Sequence, residues 1–219
     1  MSSFPVIAVR FATTSHVFDL SQATPFTITI GLTLSHDSPI TFKKRDTGLF
    51  NGKLWHRGGL TFTNTATGKA VPRTTIDICR RSDRSNNGPT WDNRADYLTL
   101  YPSREHIIEI PLQPMQGLSS FARGWAAERS DDGAKDNAIP KDMKWYGLWG
   151  CEDGQTYEIG VSDEAIVGQW YAGSIWGIVG WHILGRKTEQ QSVTIGYTVV
   201  EPCHFQISRP DSDGSLNWP

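Results

Sequence analysis

The sequence predicts an all-β chain, built as an antiparallel β-sandwich of about seven to nine short strands. Three observations lead there. Apolar and polar residues alternate with period two over several short runs. Those runs are punctuated by turn residues, 21 Gly and 12 Pro among 219. Apolar spacing at the helical period of 3.6 is nearly absent. Alternation does not distinguish two stacked sheets from one sheet closed on itself, so a closed β-barrel is the alternative architecture.

The first long strand is residues 26–34, where Phe26, Ile28, Ile30, Leu32 and Leu34 alternate with Thr27, Thr29, Gly31 and Thr33. One face of it should be buried. His36-Asp-Ser-Pro39 ends the run, a short strand follows at 40–42, and Gly58-Gly59 precedes another at 60–63, closed by a turn that ends at Gly68. Residues 74–78 read as a further strand, and 80–89 as an exposed loop containing Asn86-Asn87 and Gly88-Pro89. Residues 96–101 place Tyr97, Thr99 and Tyr101 on one side and Leu98 and Leu100 on the other. After a Pro102-Ser103 turn, 106–110 is expected to return beside that strand as its hairpin partner. The pattern lapses over 113–142, a long excursion in which 121–128 reads as one short helix. A Glu152-Asp-Gly154 turn then leads into a strand over 154–161. The last long strand is 191–200, with Val193, Ile195, Tyr197 and Val199 on one face, and 205–207 adds a final edge. No repeat or composition break divides the chain, so residues 1–208 are read as one domain followed by a polar tail, 209–219.

Charge and cysteine usage narrow the partners. With 21 Lys+Arg against 23 Asp+Glu, a net charge of −2 and a pI near 6.3, the chain lacks the basic excess that phosphate neutralisation requires, so nucleic acid is not an expected partner. The N-terminus has no basic region and only a short apolar run, Val6 to Val9, before Arg10, which is not a signal peptide. The most apolar stretch, 175–181, is far below the roughly 20 residues of a membrane span, so no membrane partner is expected either. Cys79, Cys151 and Cys203 include no Cys-x-x-Cys, and the six histidines include no His-x-His or His-Glu-x-x-His, so neither a metal nor another cofactor is indicated. An odd number of cysteines without framework spacing suits free thiols in the cytoplasm.

Three pieces together resemble an immunoglobulin-like module: the alternating strand running into Ser38-Pro39, the Leu98-Thr-Leu100 strand with its return through 110, and Asp153-Gly-x-x-Tyr157. The last resembles the tyrosine corner, which implies that the Tyr157 hydroxyl bonds back to the backbone of the preceding turn. The strand order and the tryptophan-rich segment after Tyr157 also resemble a loose group of proteins from filamentous fungi. Neither resemblance implies an activity.

The tryptophans supply the functional candidates. Trp145, Trp149, Trp170, Trp176 and Trp181, with Tyr146 and Tyr171, fall within 37 residues, interleaved with Gly147, Gly150, Gly168, Gly173, Gly177 and Gly180. Such rings either fill a core with short strands or line a site. Indoles offer flat apolar faces and one N–H donor, and neighbouring glycines let a ligand approach closely. The expectation is an intracellular binding module in which this segment forms loops that hold a small apolar or planar ligand, or a protein partner. A second reading is a cofactor-independent isomerase or cyclase of secondary metabolism, with His182 and Asp163 as a proton-transfer pair and His56 and Arg57 as an anion or carbonyl site. A third is a lectin-like carbohydrate-binding module, with indoles stacked on sugars. An exposed edge strand would also allow two copies to pair as a homodimer.

Overall fold

Alternating apolar runs become strands where their apolar faces can meet across a shared core. The computed structural model describes residues 4–20, 25–44, 47, 49, 59–72, 88–112, 150–163, 165–185 and 188–208. These residues form twelve strands: β1 (Val6–Thr13), β2 (Val17–Asp19), β3 (Phe26–Ser35), β4 (Ile40–Lys43), β5 (Leu60–Asn64), β6 (Tyr97–Leu100), β7 (His106–Leu112), β8 (Thr156–Val161), β9 (Trp170–Ala172), β10 (Gln190–Gln191), β11 (Tyr197–Glu201) and β12 (Cys203–Ser208). A helix, α1 (Ile175–Ile183), lies between β9 and β10. Seven of the strands, β1, β3, β5, β7, β8, β11 and β12, span five residues or more.

The strands make three four-stranded sheets, ordered β11-β1-β3-β7, β2-β12-β8-β5 and β10-β9-β4-β6. Each order is open at both ends, so no sheet of the described residues closes on itself and the barrel alternative is not adopted. Instead the first two sheets face each other. Phe26 of β3 stacks on Phe18 of β2, with centroids 4.3 Å and planes 6° apart, and lies 5.6 Å from Phe205 of β12. Phe62 of β5 meets the same Phe205 edge-on at 5.3 Å. Around these rings Ile7, Val9, Ile28, Ile30, Leu32, Ile159 and Ile207 are fully buried, each contributing about 1.5–3 kcal/mol of transfer free energy. The alternation expected for 26–34 holds, since all five of its apolar side chains point into this core.

Strands β1, β3 and β7 side by side, opposite β5, β8 and β12, partition as in an immunoglobulin-like sandwich. The tyrosine corner is present. Gly154 takes a φ of 71°, a left-handed conformation that favours glycine, and the Tyr157 hydroxyl accepts the Glu152 backbone N–H at 2.7 Å. Most pairings are antiparallel, but β11 extends the first sheet parallel to β1, and β2 extends the second parallel to β12.

Several local expectations need correction. β7 is not the hairpin partner of β6. It pairs with β3 in the first sheet, where Leu112, Ile110 and Ile108 sit opposite Phe26, Ile28 and Ile30, while β6 pairs with β4 in the third. Continuing the apolar face of β3 outweighs the proximity of the two strands in sequence. Between them Ser103, with a φ of 55°, hydrogen-bonds the Leu34 carbonyl and carries the chain from one sheet to the other. The strand expected over 191–200 is broken into β10 and β11, because Ile195 bridges to Val167 as the chain passes from the third sheet to the first. β12 is not an edge, since it pairs with β8 on one side and β2 on the other. The strand at 74–78, the excursion 113–142 with its short helix, and the tail 209–219 lie outside the described residues.

Candidate functional site

The tryptophan-rich segment after β8 does not remain a set of loops: part of it folds into α1. Ser174 starts the helix, its hydroxyl accepting the Gly177 N–H at 3.3 Å and its carbonyl the Ile178 N–H at 3.0 Å. Gly185, at a φ of 71°, lies just past its end, as left-handed C-caps require. The start is bonded to the third sheet. The Ile175 N–H donates to Thr99 Oγ1 of β6 at 3.0 Å, and Thr41 Oγ1 of β4, itself 2.8 Å from Thr99 Oγ1, donates to the Gly173 carbonyl at 2.7 Å. Ile178 packs with Tyr97 and Tyr171 beneath the helix.

Helix geometry then sorts the aromatic residues. Ile178 and Val179 face inward, whereas Trp176, Trp181 and Leu184 are 57%, 51% and 75% exposed. On a helical wheel Gly177 and Gly180 fall between the two indoles. A Cβ added at Gly180 would meet nothing within 4 Å, so this strip of backbone is open from outside.

Trp170 and Tyr171, on β9, go the other way, being 7% and 8% exposed. The Trp170 ring N–H donates to the Val193 carbonyl at 2.9 Å. Tyr171 packs edge-on to Tyr97 at 6.4 Å and donates its hydroxyl to Gln190 Oε1 at 3.3 Å. Burial pushes the Tyr171 hydroxyl above its ordinary pKa, keeping it a donor. These two side chains fill the interior and line no outward surface.

A residue not singled out from the sequence completes the exposed group. Trp91, 52% exposed, meets Trp176 edge-on, with centroids 5.6 Å and planes 62° apart. The Arg94 guanidinium sits 4.5 Å from the Trp91 centroid and 5.8 Å from that of Trp176, and donates to the Trp91 carbonyl. The turn carrying both is fixed by Asn93, whose Oδ1 accepts the Thr90 N–H at 2.7 Å and whose Nδ2 donates to the Gly88 carbonyl at 3.2 Å. A signal was available in Trp91-Asp-Asn-Arg94: a turn-forming Asn with Trp and Arg three apart puts the two long side chains on one side.

Asp163 is exposed in the turn after β8, and His182 belongs to α1. His56, Arg57, Trp145, Tyr146 and Trp149 lie outside the described residues. No group of three or more His, Cys, Asp or Glu among the described residues could hold a metal ion. Nor is any described helix long and apolar enough to cross a membrane. Cys151 and Cys203 carry thiols, not a disulfide.

No family model matches the sequence, and no curated protein does. Among solved structures, the solution structure of a CARDB domain from Pyrococcus furiosus aligns with 94% of this chain and 96% of its own at 7% identity. The TM-score of that alignment is only 0.27, and the immunoglobulin-like partition is shown by this chain's own strand pairings and tyrosine corner.

Proposed function

We propose that this chain is a binding module that holds a small, flat, largely apolar ligand on the exposed indoles of Trp91, Trp176 and Trp181. One observation carries the reading: two of these rings, drawn from segments 85 residues apart, meet edge-on while each stays more than half exposed. Exposed indoles cost solvation free energy that folding alone gives no reason to retain, and clustered exposed apolar surface marks interaction sites. Both indole-bearing segments are held in place, the Trp91 turn by the Asn93 bonds and the start of α1 by the Thr41 and Thr99 bonds, which lowers the ordering cost of binding. Trp91 lies on the connection from β5 to β7, and Trp176 and Trp181 on the one from β8 to β11, which agrees with the habit of β-sandwiches to place binding residues on the connections between strands of the facing sheets. Cytoplasmic residence fits the unbridged Cys151 and Cys203.

The test is a tryptophan-fluorescence titration against a panel of planar aromatic compounds, repeated with Trp176→Ala and Trp170→Ala. Trp176→Ala should weaken binding about tenfold or more and leave the melting temperature within a few degrees, as expected for an exposed side chain. Trp170→Ala should chiefly lower stability, by about 3–5 kcal/mol. Unchanged affinity in Trp176→Ala, or a panel with no binder, would overturn the proposal.

A further inference from the structure

Resting on that reading, we infer that the Trp91–Trp176–Arg94 cluster selects anions, and that its ligand is a carboxylate carried on a flat aromatic ring system. The guanidinium is the basis. Its central carbon lies over the Trp91 ring, 4.5 Å from the centroid, and 5.8 Å from the centroid of Trp176. Of its five N–H donors, only one is used among the described residues, by the Trp91 carbonyl. No carboxylate of the described residues pairs with it, whereas Arg10 on the first sheet is paired with Glu105 at 2.8 Å. Arg94 is therefore a half-buried positive charge held in a set orientation, with donors to spare.

A carboxylate matches the remaining donors because both groups are planar forks that can form two parallel hydrogen bonds. The exposed indole area beside it accepts a ring by offset or edge contact. A ligand with only one of these features would leave either the donors or the rings unused. Asp92 and Asp96 flank Arg94 in the same turn, and neither pairs with it. The local field is thus not strongly positive, and selectivity would come from direct contact with the fork rather than from long-range attraction.

The test compares 2-naphthoate with neutral 2-naphthamide by quenching of tryptophan fluorescence, in the wild type, Arg94→Gln and Arg94→Lys. Wild type should favour the acid by about tenfold to a hundredfold, the usual range for a hydrogen bond to a charged group. That ratio should collapse towards one in Arg94→Gln. It should recover only in part in Arg94→Lys, which restores the charge without the fork. Circular dichroism melts confirm that the variants fold, and the lysine variant keeps the test decisive if the glutamine variant does not. Equal affinity for acid and amide in wild type, or a preference that survives Arg94→Gln, overturns the inference and leaves the binding-module reading standing. Failure of naphthoate while other planar compounds bind does the same, and failure of all of them removes both. Quenching by phosphatidylserine vesicles that excess naphthoate does not relieve also overturns it, in favour of a lipid surface.

Discussion

Tyr157 shows how one polar atom secures a corner of the sandwich. Its ring is fully buried beside Phe205, 6.0 Å away, and its hydroxyl satisfies the Glu152 N–H. Tyr157→Phe would keep the packing and leave that N–H without its acceptor, so the expected loss is about 1–3 kcal/mol, measured as a lower denaturant midpoint with an unchanged slope. An unchanged midpoint would mean that water satisfies the group equally well. This interaction was legible in the sequence because both partners lie within five residues and the glycine between them needs its left-handed φ. The fate of the indoles was not. Trp170 and Trp176 are only six residues apart among similar neighbours, yet one is buried and the other exposed, because the first lies in a strand covered by other elements and the second on the outer side of a helix.

At the level of elements, α1 is the feature that local sequence least supports. Gly177 and Gly180 each cost a helix about 1 kcal/mol relative to alanine, and Ile175, Val179 and Ile183 are β-branched. Helix formation is rescued by contacts distant in sequence. The proton donors form a relay in which the Ile175 N–H reaches Thr99 Oγ1, whose hydroxyl can in turn serve Thr41 Oγ1, which donates to the Gly173 carbonyl. Thr99→Val removes the middle of that relay at nearly constant volume. It should lower stability by about 1–3 kcal/mol and weaken ligand binding at Trp176, because the helix start loses its anchor. A melt and a titration that both match wild type would show that Ile178 and its tyrosine neighbours hold the helix unaided. The same reasoning explains the missed partner of β7, since register with β3 is set by three facing apolar pairs that no window of local sequence contains.

For the whole molecule, the alternation identified the sandwich but not the third sheet. β3 shows why the first was readable: ten residues with one uniformly buried face leave a single way to pack. The third sheet is assembled from β4, β6, β9 and β10, strands of two to four residues, too short for a distinctive pattern. Its outer layer is also attached differently. Tyr97, Tyr171 and Ile178 form a small cluster separate from the main core. Native-state hydrogen exchange should therefore divide the molecule. Amides of β3 should exchange only through global unfolding, and those of α1 through a local opening of lower free energy. Equal protection in both would indicate a single cooperative unit.

The two parallel pairings have a mechanical consequence. β1 and β2, early in the chain, lie parallel to β11 and β12, late in it. Tension applied through the segments before β1 and after β12 would pull neighbouring strands lengthwise in opposite directions. Their ladders would then be loaded in shear, all bonds sharing the force together, whereas hairpin partners pulled from their open ends yield one bond at a time. The edge strands β11 and β2, each laid parallel to its inner neighbour, would thus also serve as a clasp against stretching.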